Sequence, residues 1–323
     1  MITTPLCTLL GVEHPILNAS MAGTSTGELA AAVSEAGGFG MIGGTNRDGA
    51  PWLREQIRIA RSLTSRPFGV GFISSFPDTA DLARVALDEG VAAINHSFTD
   101  PTPFVAPAHA AGVMVFVQVQ TLRQAITAAR AGADVIIAQG GEAGGHAGAI
   151  GTLALLPAVV DAVAPIPVVA AGGISDGRGL AAVLLLGAQG AWMGTRFVTS
   201  HEWGGPSWEQ EAVLVATSDD TVQTRIYDLI GERSFPAENP DRMLRNAFID
   251  RWNGRESEIP THREALQAEV AAGHERADLA VAGVSAGVSA GLITSTRPAG
   301  EIVRSIVQEA EDLMRERPRM LLG

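Results

Sequence analysis

One repeating pattern limits what this chain can fold into. Along its first ~200 residues an Ala- and Leu-rich amphipathic stretch ends at Gly, a short apolar run follows, and a Gly-, Ser- or Asn-rich turn closes the unit, at a spacing of roughly 20 to 30 residues. Gly ends each helix because it accepts the left-handed backbone of a C-cap. The apolar runs are continuous rather than alternating, the mark of strands buried on both faces. Eight runs read as strands: Ile16–Asn18, Phe39–Ile42, Phe68–Phe72, Ala92–Asn95, Met114–Gln118, Val135–Ala138, Val168–Ala170 and Ala191–Met193. Helical stretches fall near Glu28–Ala36, Trp52–Leu63, Thr79–Asp88, Pro103–Ala111, Leu122–Ala131, Leu153–Ala164 and Arg178–Leu186. Alternation with right-handed crossovers gives a parallel sheet, and eight repeats favour closure over an open sheet. The expected fold class is therefore α/β, a (β/α)8 TIM barrel.

The pattern breaks after Thr199. Residues 200–275 carry Trp203, Trp208 and Trp252, many charges and the loop-like Ser234–Pro240. They read as a helical insertion after the eighth strand, placed near the C-terminal mouth of the barrel as a lid or as plain packing. The barrel itself then takes 1–199 and 276–323, with Gly300–Arg317 as its closing helix.

Composition narrows the function. A net charge of -12 argues against nonspecific nucleic-acid binding, because polyanions are repelled. The chain has no Lys, which excludes a lysine Schiff base and a Walker A loop. Cys7 is the only cysteine, so no intrachain disulfide and no CxxC site can form; this fits a reducing cytoplasm. The first residues lack a basic region and a long apolar core, so no signal peptide is read. Leu153 to Ala171 is broken by Pro157, Asp161, Pro165 and Pro167, too interrupted to span a bilayer. A cytoplasmic protein with no membrane and no metal site is expected.

Two motifs are decoys. Gly38-Phe39-Gly40-Met41-Ile42-Gly43 matches GxGxxG, but a helix precedes it and the strand lies inside the match, the reverse of the dinucleotide arrangement. Gly283-Val284-Ser285-Ala286-Gly287 and its repeat through Ser289 to Gly291 match GxSxG. No buried strand leads into them and no His follows in the order a nucleophile elbow requires. A small-residue packing segment is the better reading. His14, His96, His109, His201 and His262 are scattered singly, and each is read as structural or on the surface.

The informative cluster sits at strand ends. The seventh strand runs into Gly172-Gly173-Ile174-Ser175-Asp176 and the eighth into Gly194-Thr195. Barrels commonly bind phosphate after these two strands through bare backbone N–H groups. Gly172, Gly173 and Gly194 allow close approach, the Thr195 hydroxyl can donate, and Ser175 or Asp176 can cap the next helix. After the sixth strand, Gln139-Gly140-Gly141-Glu142-Ala143-Gly144-Gly145-His146-Ala147-Gly148 places a single imidazole on a Gly-rich loop with room for a flat ligand. From the residues alone His146 is equally a general base or a His that bonds a loop carbonyl.

These motifs resemble those of the nitronate monooxygenase family, also called 2-nitropropane dioxygenases. Residues 139–148 are similar to its active-site loop, Ala171–Gly179 and Gly194–Phe197 to its two phosphate turns, and Pro15–Gly23 to its first flavin turn. Gly291-Leu292-Ile293 and Pro298–Val303 are similar to its C-terminal end. The resemblance implies noncovalent FMN, His146 as catalytic base, and Ala19, Met21, Gln118 and Gln139 near the flavin ring, with Gly144 and Gly145 beside it. Two positions depart from the family pattern. Ser20 stands where a proline is usual after the first strand, and Gly71 stands where an Asn that bonds the flavin is usual after the third.

The resemblance implies a flavoprotein oxidoreductase that oxidises alkyl nitronates, and in some members nitroalkanes, with O2 to carbonyl compounds and nitrite. The alternative is a flavin-dependent NAD(P)H enoyl-thioester reductase acting on acyl-carrier-protein or CoA, whose members resemble the same His loop. A third reading, of another class, is a flavin-free barrel for a phosphorylated metabolite. The expected partners are a small-molecule substrate and O2, with a homodimer as the assembly considered.

Overall fold

The computed structural model describes residues 2–322. Its strands are β1 (Ile16–Asn18), β2 (Gly40–Gly43), β3 (Phe68–Ile73), β4 (Ala93–Ser97), β5 (Met114–Val119), β6 (Val135–Gln139), β7 (Gly145–His146), β8 (Val168–Ala171), β9 (Gly190–Met193), β10 (Thr221–Thr224) and β11 (Asp241–Leu244). Eight of them form one parallel sheet in the order β1-β9-β8-β6-β5-β4-β3-β2. A parallel bridge between Leu17 and Phe39 joins the two ends, so the sheet closes as a (β/α)8 barrel. Each expected barrel strand is present within two residues of its expected bounds, with a helix after it as the pattern demanded.

Alternate residues of every strand face inward, and the lower interior is apolar. Leu17, Phe39, Met41, Ala93, Phe116, Val135, Ile137, Val169 and Trp192 fill it, with Phe39 and Phe116 centroids 5.6 Å apart. Leu6 and Leu10 of the helix Pro5–Leu10 join this cluster and stop the barrel at the end where the strands begin. That six-residue helix is too short to show a helical period, and the sequence reading passed over it. The outward residues meet the ring of helices. There the long helix Ala299–Leu322 packs on Gly177–Leu185 and Gly27–Glu35, closing the ring.

The seam between β1 and β2 is short of ladder bonds, and a side chain supplies them. Buried Asn18 donates from Nδ2 to the Met41 carbonyl at 2.8 Å and accepts from the Met41 amide at 2.8 Å. Its carboxamide acts there as a surrogate peptide unit. Asn18→Leu would leave a buried N–H and C=O without partners, which costs about 1–3 kcal/mol each. The expected loss is about 2–6 kcal/mol in urea unfolding, with no change in the far-ultraviolet spectrum of the folded protein.

Residues 200–275 hold helices at Ser207–Val215, Ile226–Gly231, Ala247–Trp252 and Ile259–Glu275. They have a core of their own, centred on Ile226, Tyr227, Met243, Phe248 and Trp252. The sequence reading expected helices alone, and here the structure differs. The segment also contains the antiparallel pair β10–β11, and β11 pairs in turn with β7, placing Asp241 opposite His146. Four-residue strands, half-buried on one side, carry too little alternation to be read from sequence. Because β7 belongs to the His loop, this ribbon ties the insertion to the mouth of the barrel.

Candidate active site

The C-terminal strand ends open on a cavity of about 790 Å³, inside the roughly 300–1,000 Å³ typical of small-molecule sites. Ala19, Met21, Gln118, Gln139, Gly144, Gly145, His146, Gly172, Gly173, Gly194 and Thr195 all line it. Residues spread over 177 positions of sequence meet there because eight strand ends converge on one rim.

Two turns form the side after β8 and β9. Gly172 and Gly173 have φ of 98° and 76°, a left-handed pair that turns successive amides to the same side. No described residue accepts from the amides of Gly173, Ile174, Gly194 or Thr195. Thr195 Oγ1 accepts from the Gly287 amide at 2.9 Å, which leaves its own proton to donate. Asp176 is the helix cap, accepting from the Gly179 amide at 3.0 Å, while Ser175 bonds Ser289 at 2.6 Å. Unpartnered donors at glycine-rich turns are what a phosphate group needs, so these residues fit the phosphate of a flavin nucleotide.

The wall from β5 and β6 is amide-lined. Gln139 Oε1 accepts from Gln118 Nε2 at 3.1 Å and from Gln120 Nε2 at 2.9 Å. Both lone pairs of that oxygen are used, so Gln139 offers its NH2 and Gln118 its carbonyl to the cavity.

Comparison with known proteins decides the family. The nitronate monooxygenase family model matches residues 3–90 and 82–309. The chain belongs to the nitronate monooxygenase family. A probable nitronate monooxygenase of Staphylococcus saprophyticus is 34% identical, over 81% of this chain and 84% of that protein. The (3aS,4S,5R,7aS)-5-hydroxy-7a-methyl-1-oxo-octahydro-1H-indene-4-carboxyl-CoA dehydrogenase of Mycobacterium tuberculosis is 36% identical, over 77% of this chain and 68% of that protein. Among solved structures, FabK from Thermotoga maritima superposes with TM-score 0.89 at 36% identity, covering 99% of this chain and 100% of that one. Nitroalkane oxidase from Streptomyces ansochromogenes gives TM-score 0.83 at 30% identity, covering 98% and 99%.

In this family member the imidazole is held from the insertion. His146 Nε2 lies 2.9 Å from Asp228 Oδ2, and both side chains are buried. An ionised carboxylate only accepts, so Nε2 carries the proton. No described residue bonds Nδ1, and His146 lines the cavity. Phe235 stacks on the ring at 3.3 Å between centroids and 7° between planes, and Phe98 meets it edge-on at 6.1 Å. Phe98 has φ of 71°, an unusual backbone for an aromatic residue and a mark of local strain at the mouth. The loop below is pinned by Glu142, which accepts from the Thr152 amide and from Thr152 Oγ1 at 2.9 Å. Glu142 therefore shapes the loop.

Asp241, fully buried opposite His146, has its carboxyl pushed up to about 6, chiefly by burial, against the pull of His146 and with a push from Asp228. The sign follows from linkage. A folded-state value above the unfolded one means that the ionised group weakens the fold above about pH 6. That burden is lifted as pH falls from 6 towards 4. Asp241→Asn should remove this slope. Urea unfolding at about pH 4.5 and about pH 8 should show the wild type gaining about 2 kcal/mol more than the variant on acidification. Equal gains would mean that Asp241 is ionised throughout.

Asp228, Asp241, Phe235 and Phe98 were missed by sequence reasoning. Asp228 lies 82 residues from His146, and nothing in its spacing marks it. The segment read as a small-residue packing stretch does pack: a Cβ on Gly144 would lie 2.5 Å from the Gly287 amide nitrogen. It also lines the cavity with Gly283, Ser285, Gly287 and Ser289, which the sequence gave no reason to expect. Of the other histidines, His274 also lines the cavity, and the rest stay apart from it. His96 is buried, bonded at Nδ1 to Ser74 at 2.8 Å, and pushed down to about 3 by burial. No described helix is long and apolar enough to cross a membrane.

Proposed function

We propose that this protein is an FMN-dependent oxidoreductase that oxidises alkyl nitronates, and neutral nitroalkanes through them, with O2 to carbonyl compounds and nitrite. The observation that carries the reading is His146, with Nε2 committed to buried Asp228 and Nδ1 free at the rim of the cavity formed by the Gly172–Gly173 and Gly194–Thr195 turns. The free amides of Gly173, Ile174, Gly194 and Thr195 would hold the phosphate, and Gln118 and Gln139 would meet the ring. When bound, the flavin supplies the electron chemistry between substrate and O2.

The chain's own residues do the rest. His146 Nδ1 takes the α-proton of a neutral nitroalkane, and Asp228 stabilises the imidazolium that results. A nitronate supplied ready-made needs no such step. Phe98 and Phe235 cover the imidazole and keep water from it, which strengthens each charge interaction at the mouth.

A second reading is favoured by one finding: a relative at 36% identity is named for a carboxyl-CoA substrate. On that reading the substrate is a CoA or carrier-protein thioester, and NAD(P)H supplies the hydride. Anaerobic mixing separates the two. Bleaching of the yellow protein by ethyl nitronate and not by NADH supports nitronate oxidation, and rapid bleaching by NADH alone overturns it. A purified protein that takes up no flavin overturns both.

A further inference from the structure

The two departures from the family pattern are one structural event. An ideal Cβ on Gly71 would lie 2.0 Å from Ser20 Oγ and 2.4 Å from Ser20 Cβ. The Ser20 side chain therefore occupies the space that any side chain at position 71 would need. The same virtual Cβ lies 3.4 Å from Asn95 Nδ2, because Gly71 and Asn95 are register partners on β3 and β4.

Asn95 is the unusual member. Its side chain is buried, lines the cavity, and makes no hydrogen bond to any described residue. Its Oδ1 is wholly covered and has no partner, although a buried acceptor left unmade carries a substantial penalty. The other end of the carboxamide opens on the cavity. O and N of such an amide are interchangeable by a flip, so the group can present either a donor or an acceptor to a ligand. Ser20, on the same wall, adds a hydroxyl.

We propose that Ser20, Gly71 and Asn95 form a single ring-binding subsite, in which Asn95 gives its unpaired carboxamide to a polar edge of the flavin ring and Gly71 is small to admit Ser20 beside it. The proposal rests on the flavin reading above. It assigns the ring, rather than the phosphate, to this wall.

The test titrates apoprotein with FMN and with riboflavin, which share the ring and differ in the phosphate, following flavin fluorescence. Asn95→Leu keeps the branched outline of the side chain and removes the orphaned polar group. It should weaken both ligands equally, by about 3- to 10-fold, the worth of one neutral hydrogen bond. The melting temperature of the apoprotein should stay level or rise, since no internal bond is lost. A structural asparagine would instead lower it. Gly71→Ala should weaken riboflavin binding through collision with Ser20, and Ser20→Gly in the same chain should relieve the collision and restore binding in part, short of what the lost hydroxyl contributes. Wild-type protein that binds neither ligand removes the flavin reading itself. Normal wild-type binding with Asn95→Leu unchanged, or weakened for FMN alone, overturns this subsite and leaves that reading standing.

Discussion

His146→Asn should lower turnover of neutral nitroalkanes by about 10²- to 10⁴-fold, the range ascribed to a positioned general base, while leaving flavin affinity unchanged. The shorter asparagine overlays Nδ1 rather than Nε2, so it loses the basic nitrogen and the bond to Asp228 together, while the backbone pairing of β7 with β11 still anchors the loop. Turnover of the corresponding nitronate should fall far less, because that substrate arrives already deprotonated. Asp228→Asn tests the support separately. Asp228 is a positioning residue: it fixes which nitrogen of His146 is protonated and is not placed to touch substrate. Its loss should cost about 10- to 100-fold in nitroalkane turnover, the scale seen for outer partners that orient a ligand or base. Stopped assays of nitrite release from nitroethane and from ethyl nitronate give the ratio that matters. Equal losses for the two substrates in His146→Asn would remove proton abstraction from the role of this residue.

That His146 was marked in sequence and its partner Asp228 was not has a physical cause. The barrel writes itself into the chain as a period, because each strand must be buried on both faces and each helix on one. Gly172-Gly173 and the loop from Gln139 to Gly148 fall at strand ends, so their position alone marked them. Asp228, Asp241 and Phe235 reach the same cavity through the β7–β11 pairing, a long-range contact that no local signal encodes. An insertion with its own core can present any of its residues to the barrel mouth. Asn18 and Asn95 show a similar limit. Both look like polar residues at strand ends, yet the first is saturated by the Met41 backbone and the second is unpaired. Only the packing around each distinguishes a seam-closing amide from one held ready for a ligand.

Gly172→Ala should weaken FMN by about 100-fold and riboflavin by no more than about 3-fold. Gly172 has φ of 98°, where an alanine pays a steric penalty of about 1–2 kcal/mol. A Cβ there would lie 2.8 Å from the Gly140 carbonyl oxygen, 3.1 Å from Thr152 Oγ1 and 3.2 Å from the Ala143 amide nitrogen. None of these neighbours can yield cheaply. Gly140 and Ala143 present backbone, and Thr152 Oγ1 is tied to Glu142 and to the Gly172 carbonyl, both at 2.9 Å. The turn itself must move, which tilts the amides of Gly173 and Ile174 away from the cavity. Two charge-assisted hydrogen bonds to phosphate, weakened rather than lost, account for about 3 kcal/mol. At Gly173 the nearest atom, Glu142 Cβ, lies at 3.3 Å, farther than all three obstacles at Gly172, so Gly173→Ala should lose less than Gly172→Ala. Equal losses for FMN and riboflavin in Gly172→Ala would move the phosphate elsewhere in the cavity. With the phosphate displaced, the turns after β8 and β9 would need another anion to explain why their amides stand free.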